Sequence, residues 1–235
     1  MLVTEAQREQ YRREGYFILE SVIPEAALDG LRGECGSLLA RRQRRWEVRG
    51  IAGFGLDFYR RNESPDREWR PDPLVRDFLF SDLMAEVGRA TLGEDVYLFN
   101  EEYDITAAGH GITFDSHLDS RDIGHDRRPY LSCCCALDDM TIELFEHRVE
   151  DSSNDRVGYH GDDPAVAALA PAGSMVVFSS RVVHRSGPNT SERMRRVYLA
   201  QFSAEPIMNR EWNQSIPLLL KGERQPAPEP GAAAN

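Results

Sequence analysis

The order of segments along the chain predicts an α+β protein built on a β-sandwich or barrel. Two observations carry that prediction. Up to about Leu92 the apolar residues recur largely at helical spacing, with helix-start and helix-stop residues flanking the runs. From Val96 onward the pattern changes to short β-branched and aromatic runs divided by loops rich in Gly, Asp and Pro. Helices first and antiparallel-looking strands afterwards point away from alternating βαβ units. Residues 1–224 read as a single domain, ample for a buried core, and the Pro/Ala-rich stretch 225–235 reads as a disordered tail.

In chain order, Thr4 can cap a first helix with Gln7 at the capping-box position, running to about Arg13 before Gly15. Tyr16-Phe17-Ile18-Leu19 is a short apolar strand. Pro24 opens a longer helix with Ala27, Leu28, Leu31, Leu38 and Leu39 on or near one face. Trp46 to Pro73 has no clean period; repeated Gly and Pro predict loops with one short strand, and Phe54, Phe58 and Tyr59 are bulky for such a segment. One helix is expected from about Pro73 to Leu92, stopped by Gly93. Strands follow at Val96–Phe99, Tyr130–Leu137, Met175–Phe178 and Val197–Phe202.

Composition removes several function classes. The chain carries 28 Lys+Arg against 39 Asp+Glu, a formal charge of -11, which argues against a nucleic-acid partner. The basic clusters 41–45 and 193–196 are too short to reverse that. Lys221 is the only lysine, so Schiff-base chemistry and lysine-dependent phosphate loops lack their residue. No apolar run approaches a membrane span and no signal-peptide pattern opens the chain. Cys35 and the run Cys133-Cys134-Cys135 lack disulfide or zinc spacing, because alternation turns Cys134 away from its neighbours. They read as small packed hydrophobes in a reduced, cytoplasmic protein.

The chemistry concentrates in Phe114-Asp-Ser-His117-Leu-Asp119-Ser120. In an extended strand His117 and Asp119 share one face while Leu118 takes the other. A third ligand must come from elsewhere, and His184, just before the Ser-Gly-Pro-Asn turn signal, is the best candidate. Two histidines and a carboxylate with open positions is the non-haem iron(II) oxygenase arrangement. Taken alone, His117 with Asp119 is a surface strand pair and His184 a hydrogen-bonded loop histidine; only together do they make a site. An arginine fork binds a carboxylate bidentately, and Arg195 shares strand parity with Val197, Leu199 and Gln201. Arg193 has the same parity and rivals it if the strand starts early. Ser186 offers a hydroxyl to the same carboxylate. His110, His125, His147 and His160 sit in polar surroundings and read as solvated, Asp138 and Asp139 as turn formers, and Trp46, Trp69 and Trp212 as core or pocket wall. No catalytic residue is singled out beyond the metal ligands.

These residues also carry a resemblance. Tyr11-Arg-Arg-Glu-Gly-Tyr-Phe-Ile-Leu-Glu, His117-Leu-Asp119, Ala136-Leu-Asp-Asp-Met-Thr and His184-Arg-Ser-Gly-Pro-Asn with Arg195 look like the phytanoyl-CoA dioxygenase family, over about Glu9 to Pro206. The resemblance implies a double-stranded β-helix (jelly-roll) core with N-terminal helices packed on it, iron(II), and 2-oxoglutarate and O2 as co-substrates. Carried over by position, His117, Asp119 and His184 would be iron ligands, and Arg195, helped by Ser186, would hold the distal carboxylate of 2-oxoglutarate. Family members are often monomers or dimers, which implies a monomer or homodimer here.

There are departures from the family pattern. A lysine before the first histidine and an aromatic immediately before it are replaced by Thr106 and Ser116, and the Glu-Asn-Gly … Pro-Gly-Ser-His segment is not recognisable. An acidic chain with one lysine has little to hold CoA phosphates, so a small carboxylic, amino-acid or natural-product-like substrate fits better. Halogenating relatives replace the metal carboxylate with a small residue; Asp119 favours hydroxylation or another oxidation of a C–H bond. A zinc-type hydrolase on the same ligands would leave Arg195 without a task, and a non-catalytic jelly-roll binding module would produce no succinate.

Overall fold

The N-terminal capping signals fold as read. In a computed structural model describing residues 2–48, 57–60, 72–109, 114–119, 129–147, 164–207 and 216–218, helix α1 spans Glu5–Glu14. The Thr4 hydroxyl accepts the Gln7 N–H and the Gln7 side chain accepts the Thr4 N–H. Gly15 ends the helix in the left-handed region at φ 77°, a conformation glycine adopts without a Cβ penalty, and its N–H reaches Tyr11 O at 2.8 Å. Strand β1 is Tyr16–Leu19, and α2 runs over Glu25–Val48, past the loop start expected at Trp46. The short strand expected in the next stretch is β2, Asp57–Arg60.

The single helix expected over 73–92 is two. Helix α3, Pro73–Leu79, has Asp72 as cap and Pro73 in its first turn; α4, Asp82–Thr91, is capped by Ser81, whose hydroxyl accepts the Met84 N–H. A serine side chain in competition with the backbone breaks the helix there and starts a new one. The loops around Phe54 and Trp69, His110, His125, His160, Trp212 and the tail 225–235 lie outside the described residues, as do the side chains of Trp46, Phe58, Tyr59 and His147.

Strands β3 (Val96–Thr106), β4 (Phe114–His117), β5 (Leu131–Ala136), β6 (Met140–His147), β7 (Val166–Ala170), β8 (Met175–Ser179), β9 (Val182–Ser186), β10 (Arg195–Ser203) and β11 (Ile216–Leu218) complete the chain order. They form two antiparallel sheets. The larger runs β1-β8-β5-β10-β3-β11 with β2 also on β3, and the smaller runs β4-β9-β6-β7. β3 extends well beyond the apolar run Val96–Phe99, because its polar half, Asn100 to Thr106, pairs residue by residue with β10.

Alternation assigns the larger sheet's side chains to two cores. Cys134, Val176, Phe178, Val197 and Leu199 face the smaller sheet's Ile142, Leu144 and Val182. Cys133, Cys135, Val177, Tyr198 and Phe202 face the helices, meeting Leu31, Leu79 and Met84. Burying each such aliphatic or aromatic side chain stabilises the fold by about 1.5–3 kcal/mol. All four cysteines are buried free thiols. Among the described residues, no helix is long and apolar enough to cross a membrane.

Candidate metal centre

The site is built where the two sheets face each other. His117, the last residue of β4, is the cross-strand partner of His184 on β9, and the two rings lie 4.3 Å apart between centroids. His184 shares the inner face of β9 with Val182 and packs on the Phe178 ring of the opposite sheet at 4.6 Å.

Strand alternation was expected to align Asp119 with His117. It does not, because β4 ends at His117 and Asp119 lies past the strand end. Hydrogen bonds aim the carboxylate instead. The Ser132 hydroxyl donates to Asp119 Oδ2 at 2.5 Å and Gln201 Nε2 donates to the same oxygen at 3.2 Å. That leaves Asp119 Oδ1 toward the histidines, 3.7 Å from His117 Nε2 and 3.4 Å from His184 Nε2. One ligand atom from each of the three residues lies within 4.8 Å of the others.

The tautomer of His184 follows from its other contact. Nδ1 lies 3.0 Å from Val182 O, an acceptor only, so Nδ1 carries a proton, and in the neutral ring it is Nε2 that presents a lone pair beside Asp119 Oδ1. Two acceptors so placed, on residues only 6% and 7% exposed, need a cation or proton between them. His117 is more open and forms the solvent side of the cluster.

Arg195 opens β10 with the inward parity of Val197, Leu199 and Gln201. Its guanidinium is half-buried, and Nη2 donates to Gly187 O at 3.0 Å and Thr106 Oγ1 at 3.4 Å, both neutral oxygens. Burial lowers its pKa from the usual value, while Cys134 and Asp104 act the other way. Ser186 ends β9 on the face of His184 and directly precedes Gly187, so it lies at the Arg195 end of the site. The rival Arg193 is exposed and precedes the strand. Asn189 closes the turn between them, its amide donating to Thr106 O, Ala107 O and Arg193 O. Asp138 and Asp139 serve turns: Asp138 takes a two-point bond from the Arg196 side chain, and Asp139 accepts the Ala172 N–H.

Sequence reasoning missed Ser132, Gln201 and Asn100 as parts of the site. The available signal was a polar side chain inside an otherwise apolar strand run, a position that must find a partner when buried.

Residues 116–197 match the family model described as phytanoyl-CoA dioxygenase (PhyH), a range holding His117, Asp119, His184, Ser186 and Arg195. The chain's fold is similar to the non-heme alpha ketoglutarate dependent carbocyclase SnoK from nogalamycin biosynthesis, at 15% identity and TM-score 0.68 over 92% of this chain and 96% of that one. It is also similar to the epimerase SnoN of the same biosynthesis, at 17% identity and TM-score 0.66 over 85% and 82%. SnoN is also solved with Fe3+, alpha ketoglutarate and nogalamycin RO. AviO1 from Streptomyces viridochromogenes Tue57 is similar at 20% identity and TM-score 0.66 over 88% and 98%. No curated protein matches the chain.

Proposed function

We propose that this chain is an iron(II)- and 2-oxoglutarate-dependent oxygenase that oxidises an unactivated C–H bond of a small molecule, most simply by hydroxylation. The observation that carries the reading is the convergence of His117 Nε2, Asp119 Oδ1 and His184 Nε2, with a half-buried arginine on strand β10 of the facing sheet. Two imidazoles and one carboxylate oxygen suit iron(II) and leave positions open for co-substrates. When bound, iron with 2-oxoglutarate and O2 supplies the oxidising power.

The protein's own residues orient and enclose. Asp119 and His184, both nearly dry, are each fixed by a hydrogen bond on the side away from the centre, so their donor atoms are pre-aimed. Arg195 supplies a planar fork for the distal carboxylate of 2-oxoglutarate, and Ser186, next in the chain to the Gly187 that Arg195 contacts, supplies a hydroxyl for the same group. The inner faces of β5 and β10 between these ends carry Cys134, Val197 and Leu199, an apolar wall that suits the methylenes of the co-substrate. The similarity to enzymes of nogalamycin biosynthesis supports a natural-product-like substrate, and the buried free thiols support a reducing, cytoplasmic setting. Residues 1–224 act as one catalytic domain, as monomer or homodimer.

Anaerobic addition of iron(II) and 2-oxoglutarate should give a weak visible charge-transfer band, lost in His117→Ala, and aerobic turnover should release succinate. A wild-type protein with no band and no succinate on any substrate panel overturns the reading. Tight zinc binding with hydrolysis and no use of 2-oxoglutarate would favour the hydrolase, in which Arg195 and Ser186 have no task.

A further inference from the structure

Behind Asp119 lies a run of polar side chains that crosses three strands of the larger sheet. Ser132 on β5 and Asn100 on β3 are both register partners of Gln201 on β10. Asn100 Nδ2 donates to Gln201 Oε1 at 2.9 Å, which turns the Gln201 amide so that Nε2 faces the site. The two Nε2 hydrogens then have two acceptors, Asp119 Oδ2 and Ser132 Oγ, each at 3.2 Å. The Ser132 hydroxyl accepts from Gln201 and donates its own hydrogen to Asp119 Oδ2. Every donor of the Gln201 amide and the Ser132 hydroxyl is used: one from each reaches Asp119 Oδ2 directly, and the second Gln201 hydrogen goes to the Ser132 hydroxyl that itself donates there.

Ser132 is fully buried and Gln201 nearly so. Packing two polar side chains next to the apolar inter-sheet core costs desolvation that apolar residues of similar size would avoid. Their shared orientation supplies the reason to keep them. We propose that Gln201, turned by Asn100 and backed by Ser132, is a positioning residue that occupies Asp119 Oδ2 and so restricts Asp119 to one-oxygen coordination through Oδ1. One-oxygen binding keeps the neighbouring positions on the metal free for co-substrate. The proposal rests on the metal centre proposed above and assigns a role to residues outside it.

The test uses the full chain, cobalt(II) as probe under anaerobic conditions, and the variants Gln201→Leu and Asn100→Asp. The first removes both donors. The second is nearly isosteric and draws the Gln201 Nε2 away from Asp119, so it decides the matter if Gln201→Leu does not fold. Both variants are expected to bind cobalt about 10- to 100-fold more weakly, with a shifted visible cobalt band as the second carboxylate oxygen enters the coordination shell. Folded variants with cobalt affinity within twofold of wild type and an unchanged band overturn the proposal, and a loss of apo-protein stability alone then assigns the network to folding. If wild type binds no cobalt at all, the metal centre itself has failed, an outcome distinct from failure of the positioning role.

Discussion

His117 and His184 stand directly opposite one another across the β4–β9 ladder, with ring centroids 4.3 Å apart. The register of a short strand pair therefore holds two metal-binding side chains in place. A slip of one residue would turn His184 to the outer face and dissolve the cluster.

Removing either imidazole should cost more than the roughly 10- to 100-fold that loss of a supporting partner costs a metal site. His117→Ala and His184→Ala are expected to fall below that range in iron(II) affinity by anaerobic titration. Near-wild-type binding in either variant would contradict the assignment of these ligands.

Arg195→Ala should raise the apparent KM for 2-oxoglutarate roughly 10- to 150-fold, the loss of charge-assisted hydrogen bonds worth about 1.5–3 kcal/mol. Iron(II) affinity should stay unchanged, because Arg195 reaches Gly187 and Thr106 rather than the metal cluster. Arg195→Lys should recover only part of the loss, since an ammonium lacks the planar fork. An unchanged KM in Arg195→Ala would remove it from the co-substrate site.

Asp138 receives the Arg196 Nε and Nη2 hydrogens at 2.8 Å each and the Arg196 backbone N–H at 3.0 Å. Asp138→Asn should lower stability by about 1–2 kcal/mol with no change in metal binding. The urea midpoint should fall while the slope of the transition is kept. A midpoint equal to wild type would show the pair to be dispensable.

Alkaline pH should destabilise the fold through its thiols. Burial pushes Cys35 up to about 12 from an ordinary 9.0, and burial likewise raises Cys133, Cys134 and Cys135. Above pH 9 an unfolded chain releases these protons while the folded chain keeps them, so the unfolded state binds fewer protons and stability falls as pH rises. The slope approaches about 1.4 kcal/mol per pH unit for each thiol. Urea unfolding from pH 8 to 10.5 should show the decline, reduced in Cys35→Ala. An identical slope in that variant would count against the buried Cys35 thiol as a contributor.

The sequence by itself determined what is local or periodic. Thr4 and Gln7 formed their capping box, Gly15 stopped its helix, and Leu131–Ala136 and Val197–Phe202 became central strands, because caps, turns and period-two burial act over a few residues. The pairing of His117, Asp119 and His184 was legible as chemistry, since their residue types and flanking motifs point to one metal-binding pattern. Tertiary structure alone decided how they meet. Asp119 lies past the end of its strand, and it is aimed by Ser132 and Gln201 from two other strands. Likewise the strand read only over Val96–Phe99 continues through Asn100 to Thr106, because pairing with β10 extends β3 through it. Cross-strand register and buried hydrogen bonds join residues far apart in the chain, and no local pattern in one sequence records which partner each will find.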